Sequence, residues 1–173
     1  MTSDFPFSDR QWDGPRAQVQ QFVRRFDPSY KKLLQHAALP LVLTPELVNY
    51  LRNEFLRGEG VPWIAEVDLL LSDLCSQVGY ELYAMDTEVR AYLLNEVKDD
   101  PAWQRRMQEV ARVLISYVNH LSRTNPERQQ EIKAQRLAAM VYLGGEDCRA
   151  AAQEIAERFR ESYQSLQRGT GQA

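Results

Sequence analysis

The chain has 173 residues, of which 44% are hydrophobic and 26% charged, and its formal net charge is −3. This length suits one domain with a real core, and the composition is that of a folded globular protein rather than a disordered one. The mild negative charge provides no general attraction for nucleic acid or an anionic membrane surface.

The N-terminal residues 1–14, MTSDFPFSDRQWDG, lack a helical period and lack the basic start and apolar core of a signal peptide. No run of about 18 uncharged apolar residues follows, so we expect a cytoplasmic protein with no membrane contact. Residues 1–14 are interpreted as a flexible tail. The alternative is a short aromatic segment, carrying Phe5, Phe7 and Trp12, that docks on this domain or on a partner.

Helix starts are marked by a capping residue followed by proline, at Asp27-Pro28, Thr44-Pro45, Asp100-Pro101 and Asn125-Pro126. The side-chain oxygen accepts from free amide groups, and proline fits the first helical position because no partner is needed there for its missing N–H. With the 3.6-residue periodicity, the sequence predicts helices over residues 15–25, 28–38, 45–57, 62–78, 87–97, 101–121, 126–143 and 147–167. The helical domain therefore covers residues 15–167, and residues 168–173 form a tail or the start of a linker.

Residues 61–94 are the longest apolar-rich stretch and contain the predicted central helix, residues 62–78. Spacings of three and four residues place one apolar stripe on a single face of it, made by Ile64, Val67, Leu71, Leu74 and Val78. Trp63 and Leu70 widen that face. We therefore predict an all-α domain of about eight helices packed around this helix.

Two connections have apolar character. Residues 41–43, LVL, are expected to pack against the core. Residues 80–85, YELYAM, alternate as a strand does, but a single short strand without a partner is not stable. We therefore predict that residues 80–85 form an irregular connector.

No motif for catalysis, cofactor binding or metal binding is found in the sequence. His36 and His120 have no second histidine or cysteine at ligand spacing, so structural roles are expected for both. Cys75 and Cys148 are expected to be reduced thiols. Asp68 lies at the edge of the apolar stripe, where it either satisfies a neighbouring backbone group or arginine or acts as a functional acid.

Basic residues cluster at Arg24-Arg25, Lys31-Lys32 and Arg105-Arg106. Each cluster is interleaved with acidic or apolar residues, so we interpret these clusters as solvated helix faces. Nucleic-acid binding is the weakest of the functional alternatives on this pattern.

Three segments together resemble a known helical module: RRFDPSYKKLLQHAALPLVLTPEL, VPWIAEVDLLLSDLCSQVGYELYAMDTEVRAYLLNEVKDD and AQRLAAMVYL. It is the N-terminal module of multidomain bacterial, notably cyanobacterial, conflict-system proteins. Such modules are often fused to formylglycine-generating-enzyme-like domains of C-type-lectin fold, some of them targets of diversity-generating retroelements. Related systems employ MoxR-type ATPases and von Willebrand A proteins. The resemblance covers about residues 18–160 and implies a context, with no catalytic motif to carry over.

The leading functional hypothesis is a non-enzymatic adaptor that binds another protein, or a fused C-terminal domain, in a bacterial defence or signalling assembly. The alternative is a small hydrolase or ligand-binding domain that uses Asp68, Asp73 and Asp86 around a pocket between helices. A nucleic-acid-binding helical domain is the third hypothesis.

Overall fold

The computed structural model describes residues 10–144 and, beyond them, residues 157, 160, 161, 164 and 168. This part of the chain is mainly helical, which confirms the predicted class, but a two-stranded antiparallel sheet lies between the fourth and fifth helices. The elements are a 3-10 turn (Arg10–Trp12), α1 (Asp13–Arg25), α2 (Tyr30–Ala37), α3 (Pro45–Phe55), α4 (Ile64–Leu70), β1 (Cys75–Gly79), β2 (Leu82–Met85), α5 (Thr87–Val97), α6 (Pro101–Thr124) and α7 (Gln129–Gly144).

The ends of the chain are described only in part. Phe5 and Phe7 lie outside the described residues, and so does most of the predicted helix over residues 147–167. Residues 10–14, which the sequence assigns to a tail, form the 3-10 turn and the first residues of α1. Trp12 packs there against Tyr92 of α5, with 6.1 Å between the ring centroids.

Three helices begin where their capping residues predict. The Thr44 hydroxyl accepts from the Leu47 amide at 3.1 Å, and the Asp100 carboxylate accepts from the Ala102 amide at 2.9 Å. Asp86 caps α5 in the same way. These bonds satisfy amide groups that have no partner within the helix, and they confirm the starts of α3, α5 and α6.

The other two cap-proline pairs predict starts that are two and three residues too early. Asp27 accepts from the Ser29 amide at 2.9 Å and closes a turn, so α2 begins only at Tyr30. Asn125 ends α6 instead of starting α7, because its amide donates to the Leu121 carbonyl at 2.7 Å. Both pairs mark turns that precede a helix.

One core receives side chains from all seven described α-helices. α6 and α7 form a helical hairpin. On α7, Ile132 is buried and Gln135 is completely buried, whereas Met140 is 42% exposed. Small residues at the contact, Ala134, Ala138 and Ala139, let α7 approach its neighbours closely.

The apolar connection at residues 41–43 packs into the core as predicted and holds two distant elements. Leu43 and Tyr83 exchange backbone hydrogen bonds of 2.7 and 2.8 Å, which attaches the connection to β2. On its other side Gln135 of α7 accepts from the Leu41 amide at 3.0 Å and donates to the Val42 carbonyl at 2.6 Å. The Gln135 side-chain amide thus forms one accepted and one donated hydrogen bond with this backbone, as a residue of a paired strand would.

The predicted helix over residues 62–78 is wrong in its second half. α4 ends at Leu70, and the Ser72 hydroxyl donates back to the Leu69 carbonyl at 2.7 Å while accepting from the Leu74 amide at 3.2 Å. The chain then forms β1, a two-residue turn that includes Glu81 at φ +50°, and β2. The irregular connector predicted over residues 80–85 is also wrong, because residues 82–85 form β2. The strand that pairs with β2 is β1, most of which was assigned to the predicted helix.

Candidate functional site

α4 packs on the core with the side opposite to the predicted one. Ala65 and Leu69 are fully buried, and Glu66 is buried beside them. The Glu66 carboxylate accepts from Nε of Arg52 at 2.5 Å and from Nδ2 of Asn49 at 3.2 Å, both on α3. A buried ion pair offsets the cost of its desolvation only in a well-defined geometry, so the pair favours one orientation of α4 against α3.

The other side of α4 presents large apolar side chains to solvent. Trp63 is 67% exposed, Ile64 39%, Val67 42% and Leu71 71%. Their spacing of three and four residues places them on one surface, which we call the α4 apolar face. Single exposed apolar residues are ordinary, but a contiguous group of this kind marks a binding surface.

A groove of about 470 Å³ adjoins the α4 apolar face and separates α4 from α1. Val67 and Leu71 belong to both surfaces. The groove is lined by Gln18, Gln21, Phe22, Arg25, Phe26, Val67, Asp68, Leu71, Ser72, Asp73 and Leu74. One wall contains the Phe26 ring, which stacks on Tyr30 with 5.4 Å between the centroids and an angle of 12° between the ring planes.

Asp68 is half-buried in this groove and is held by a tyrosine, rather than by the backbone group or arginine expected from the sequence. The Tyr30 hydroxyl donates to Oδ2 of Asp68 at 2.7 Å. Burial, and then the bond and charge of Asp68, raise the pKa of Tyr30 to about 12, so Tyr30 remains a donor at neutral pH.

The three acids of the hydrolase hypothesis do not share one site. Asp68 and Asp73 both line the groove. Asp86 instead caps α5, where its Oδ1 accepts from the amides of Glu88 and Val89 at 3.0 and 3.2 Å. Asp68 and Asp73 therefore line the same groove, whereas Asp86 has a structural role.

The histidines are placed differently from each other. His36 is buried between the rings of Phe55 and Trp103, with centroid distances of 5.5 and 5.4 Å, and Nδ1 donates to the Lys32 carbonyl at 2.6 Å. Burial lowers the pKa of His36. His120 is exposed. Among the described residues, no three His, Cys, Asp or Glu side chains are grouped as a metal site.

Cys75 is a free thiol at the start of β1. Burial raises the pKa of Cys75 to about 12, so the thiolate is not formed at neutral pH. It therefore lacks the activation that a nucleophilic cysteine requires.

The basic clusters take part in contacts within the domain. Lys31 pairs with Glu96 at 3.1 Å, and Lys32 pairs with Glu59 at 2.5 Å. The Arg106 guanidinium lies over the Phe55 ring, 5.3 Å from its centroid, and Arg25 lies over Phe26 at the same distance. These contacts agree with solvated helix faces.

Comparison of the chain with protein-family models, curated proteins and solved structures gave no match. Within the described part of the chain, none of the helices is long and apolar enough to cross a bilayer. Among the described residues, the features that bear on function are the α4 apolar face and the groove beside it. Sequence periodicity missed this surface, and the available signal was the unbroken Leu69-Leu70-Leu71, whose side chains spread over about 200° of the helix circumference instead of one face.

Proposed function

We propose that this chain is a non-enzymatic protein-interaction module that binds its partner through the α4 apolar face and the adjoining groove. The observation that carries the proposal is the exposure of Trp63 and Leu71, at 67% and 71%, beside a groove that Phe22 and Phe26 line. Tryptophan is enriched among the few residues that supply most of the binding energy in protein interfaces, and the fully buried centre of such interfaces is apolar.

The scaffold beneath this surface is rigid enough to present it. Leu69 packs in the core, and the Glu66–Arg52 ion pair fixes α4 against α3. The apolar side chains project from a short helix anchored in this way. Binding of a partner would therefore cost little free energy for ordering this surface. This favours recognition by a preformed face.

The biological context of the proposal is a bacterial defence or signalling assembly. It is supported by the resemblance of residues 18–160 to the N-terminal module of conflict-system proteins. In that context the partner is another protein of the system or a C-terminal domain fused to the module.

Photo-crosslinking in the native host tests the proposal. A benzoylphenylalanine is placed at position 64, 67 or 71 on the face, and at Tyr50 as a control, which is 46% exposed on α3. The crosslinked protein is identified and purified, and its affinity is then measured for the wild type, Leu71→Asp and Tyr50→Asp.

We expect crosslinks from the face positions and at least about a tenfold loss of affinity for Leu71→Asp, which corresponds to roughly 1.4 kcal/mol. Tyr50→Asp should bind as the wild type does. Crosslinking from the control position alone, or equal affinities of the two variants, would refute the proposal.

A carboxylate-dependent ligand-binding or hydrolytic site is the second candidate, because Asp68 and Asp73 share the groove. It predicts that Asp68→Asn with Asp73→Asn abolishes hydrolysis of a small substrate or binding of a divalent cation. Screening the wild type and the double variant with model esters, and by calorimetry with Mg²⁺ and Ca²⁺, decides the matter. The absence of any difference would eliminate this candidate.

A further inference from the structure

We infer that the groove between α1 and α4 binds a cationic side chain of the partner, a lysine or arginine set among apolar residues, which pairs with Asp68 and Asp73. This inference rests on the proposed function and names the chemistry of the partner. It concerns the groove only, so it can fail while the α4 apolar face still binds.

The α4 side of the groove carries two carboxylates, Asp68 and Asp73, for which the described residues supply no ion-pair partner. Asp68 accepts a hydrogen bond from the Tyr30 hydroxyl. Tyr30 is itself 5% exposed and stacked on Phe26. The Asp68 carboxylate is therefore held in one place by a fixed donor.

Closing this groove with a purely apolar partner would remove water from the half-buried Asp68. A carboxylate that loses its water without gaining a partner is strongly unfavourable, so the covering segment has to supply a compensating group. A cation does this best, because it adds the attraction between opposite charges to the hydrogen bond, whereas a neutral donor supplies the hydrogen bond alone. An acidic segment would add repulsion to the desolvation.

The apolar part of the groove lining suits the stem of such a side chain. Phe22, Val67, Leu71 and Leu74 are apolar lining residues. Lysine and arginine bury their methylene stems on apolar surface while the charged group reaches a polar one. A segment with apolar residues on the α4 apolar face and one cation in the groove would match both surfaces.

Arg25 is the one basic lining residue of the groove among those described. It belongs to α1, and its guanidinium lies over Phe26, 5.3 Å from the ring centroid. The positive charge is thus on the α1 wall, and the two carboxylates are on the α4 side. This separation places the incoming cation next to α4 and away from Arg25.

Three probes of equal size and different charge test the inference: 4-phenylbutylamine, 4-phenylbutanol and 4-phenylbutyrate. Each is titrated into the full chain at neutral pH and low ionic strength, and amide chemical shifts report binding site and affinity. We expect the amine to bind roughly threefold to tenfold more tightly than the alcohol, and the butyrate more weakly than both. The shifts should map to residues 18–26 and 67–74.

Asp68→Asn should bring the affinities of amine and alcohol to within about twofold of each other, because it removes the charge and keeps the shape. Asp99→Asn, at an exposed acid outside the groove, should retain the preference. The amide spectrum of each variant verifies its fold. Equal affinities in the wild type, tightest binding by the butyrate, or shifts confined to another surface would overturn the inference. None of these results bears on whether Leu71→Asp loses affinity for the protein partner. The proposed function is therefore tested separately.

Discussion

Alanine substitutions at two nearby leucines distinguish the observed orientation of α4 from the one that periodicity predicts. Leu69 is fully buried, whereas 71% of Leu71 is exposed. Leu69→Ala removes the transfer free energy of the side chain and leaves a cavity, which costs about 2.7–5 kcal/mol of unfolding free energy. Complete burial of a leucine is worth roughly 1.5–3 kcal/mol, and less than a third of Leu71 is shielded, so Leu71→Ala should cost below about 1 kcal/mol.

Urea denaturation followed by circular dichroism measures both variants against the wild type. At a common slope, the shift in midpoint gives the change in unfolding free energy. The structure requires a large shift for Leu69→Ala and a small one for Leu71→Ala. If Leu71→Ala is as destabilising as Leu69→Ala, then Leu71 lies in the core and the α4 apolar face does not exist.

Three further predictions follow from single contacts. Gln135→Leu leaves the Leu41 amide and the Val42 carbonyl without their partner, so we expect a loss of about 2–4 kcal/mol of unfolding free energy in urea denaturation. Gln130→Leu, at an exposed position of α7, should change stability little. Equal effects of the two substitutions would contradict a stabilising role of the Gln135 hydrogen bonds. His36 has a folded-state pKa below the unfolded value of 6.5, so the unfolded state binds its proton more readily and stability falls as the pH drops below about 6.5. The urea midpoint of His36→Phe, measured across that range, should lack this contribution, and an unchanged pH dependence would show that His36 does not cause it. Glu81→Gly relieves a positive φ in the hairpin turn and should raise the unfolding free energy by about 0.5–1 kcal/mol, measured as a higher thermal midpoint; a lower midpoint would argue against the turn.

Helix boundaries were predicted well where they depend on a few neighbouring atoms. Thr44, Asp86 and Asp100 each cap a helix by a bond to an amide two or three residues later, so adjacent residues contain all the information. The start predicted at Asp27-Pro28 is wrong because the same carboxylate oxygen can also close a turn. Such competition within one turn displaces a boundary without removing the helix.

Residues 61–94 show why the candidate surface was not predicted. The segment Ile64–Leu70 has apolar residues on two opposite sides, Ile64 and Val67 on one and Ala65 and Leu69 on the other, so its periodicity is compatible with burial of either face. The observed choice depends on Arg52, which pairs with Glu66 from another helix. A polar residue buried by a distant partner cannot be recognised from its own neighbours.

The sequence by itself determined the helical class, the capped helix starts and the absence of recognisable catalytic motifs, because these depend on composition and on contacts within a few residues. Only the tertiary structure decided which side of α4 faces solvent, that β1 and β2 pair, and that Asp68 and Asp73 share a groove with Phe22. Each of these depends on packing between segments that are separate in the chain, such as Leu43 with Tyr83 and Tyr30 with Asp68. Burial is a property of the whole fold, and for that reason the α4 apolar face became visible only in three dimensions.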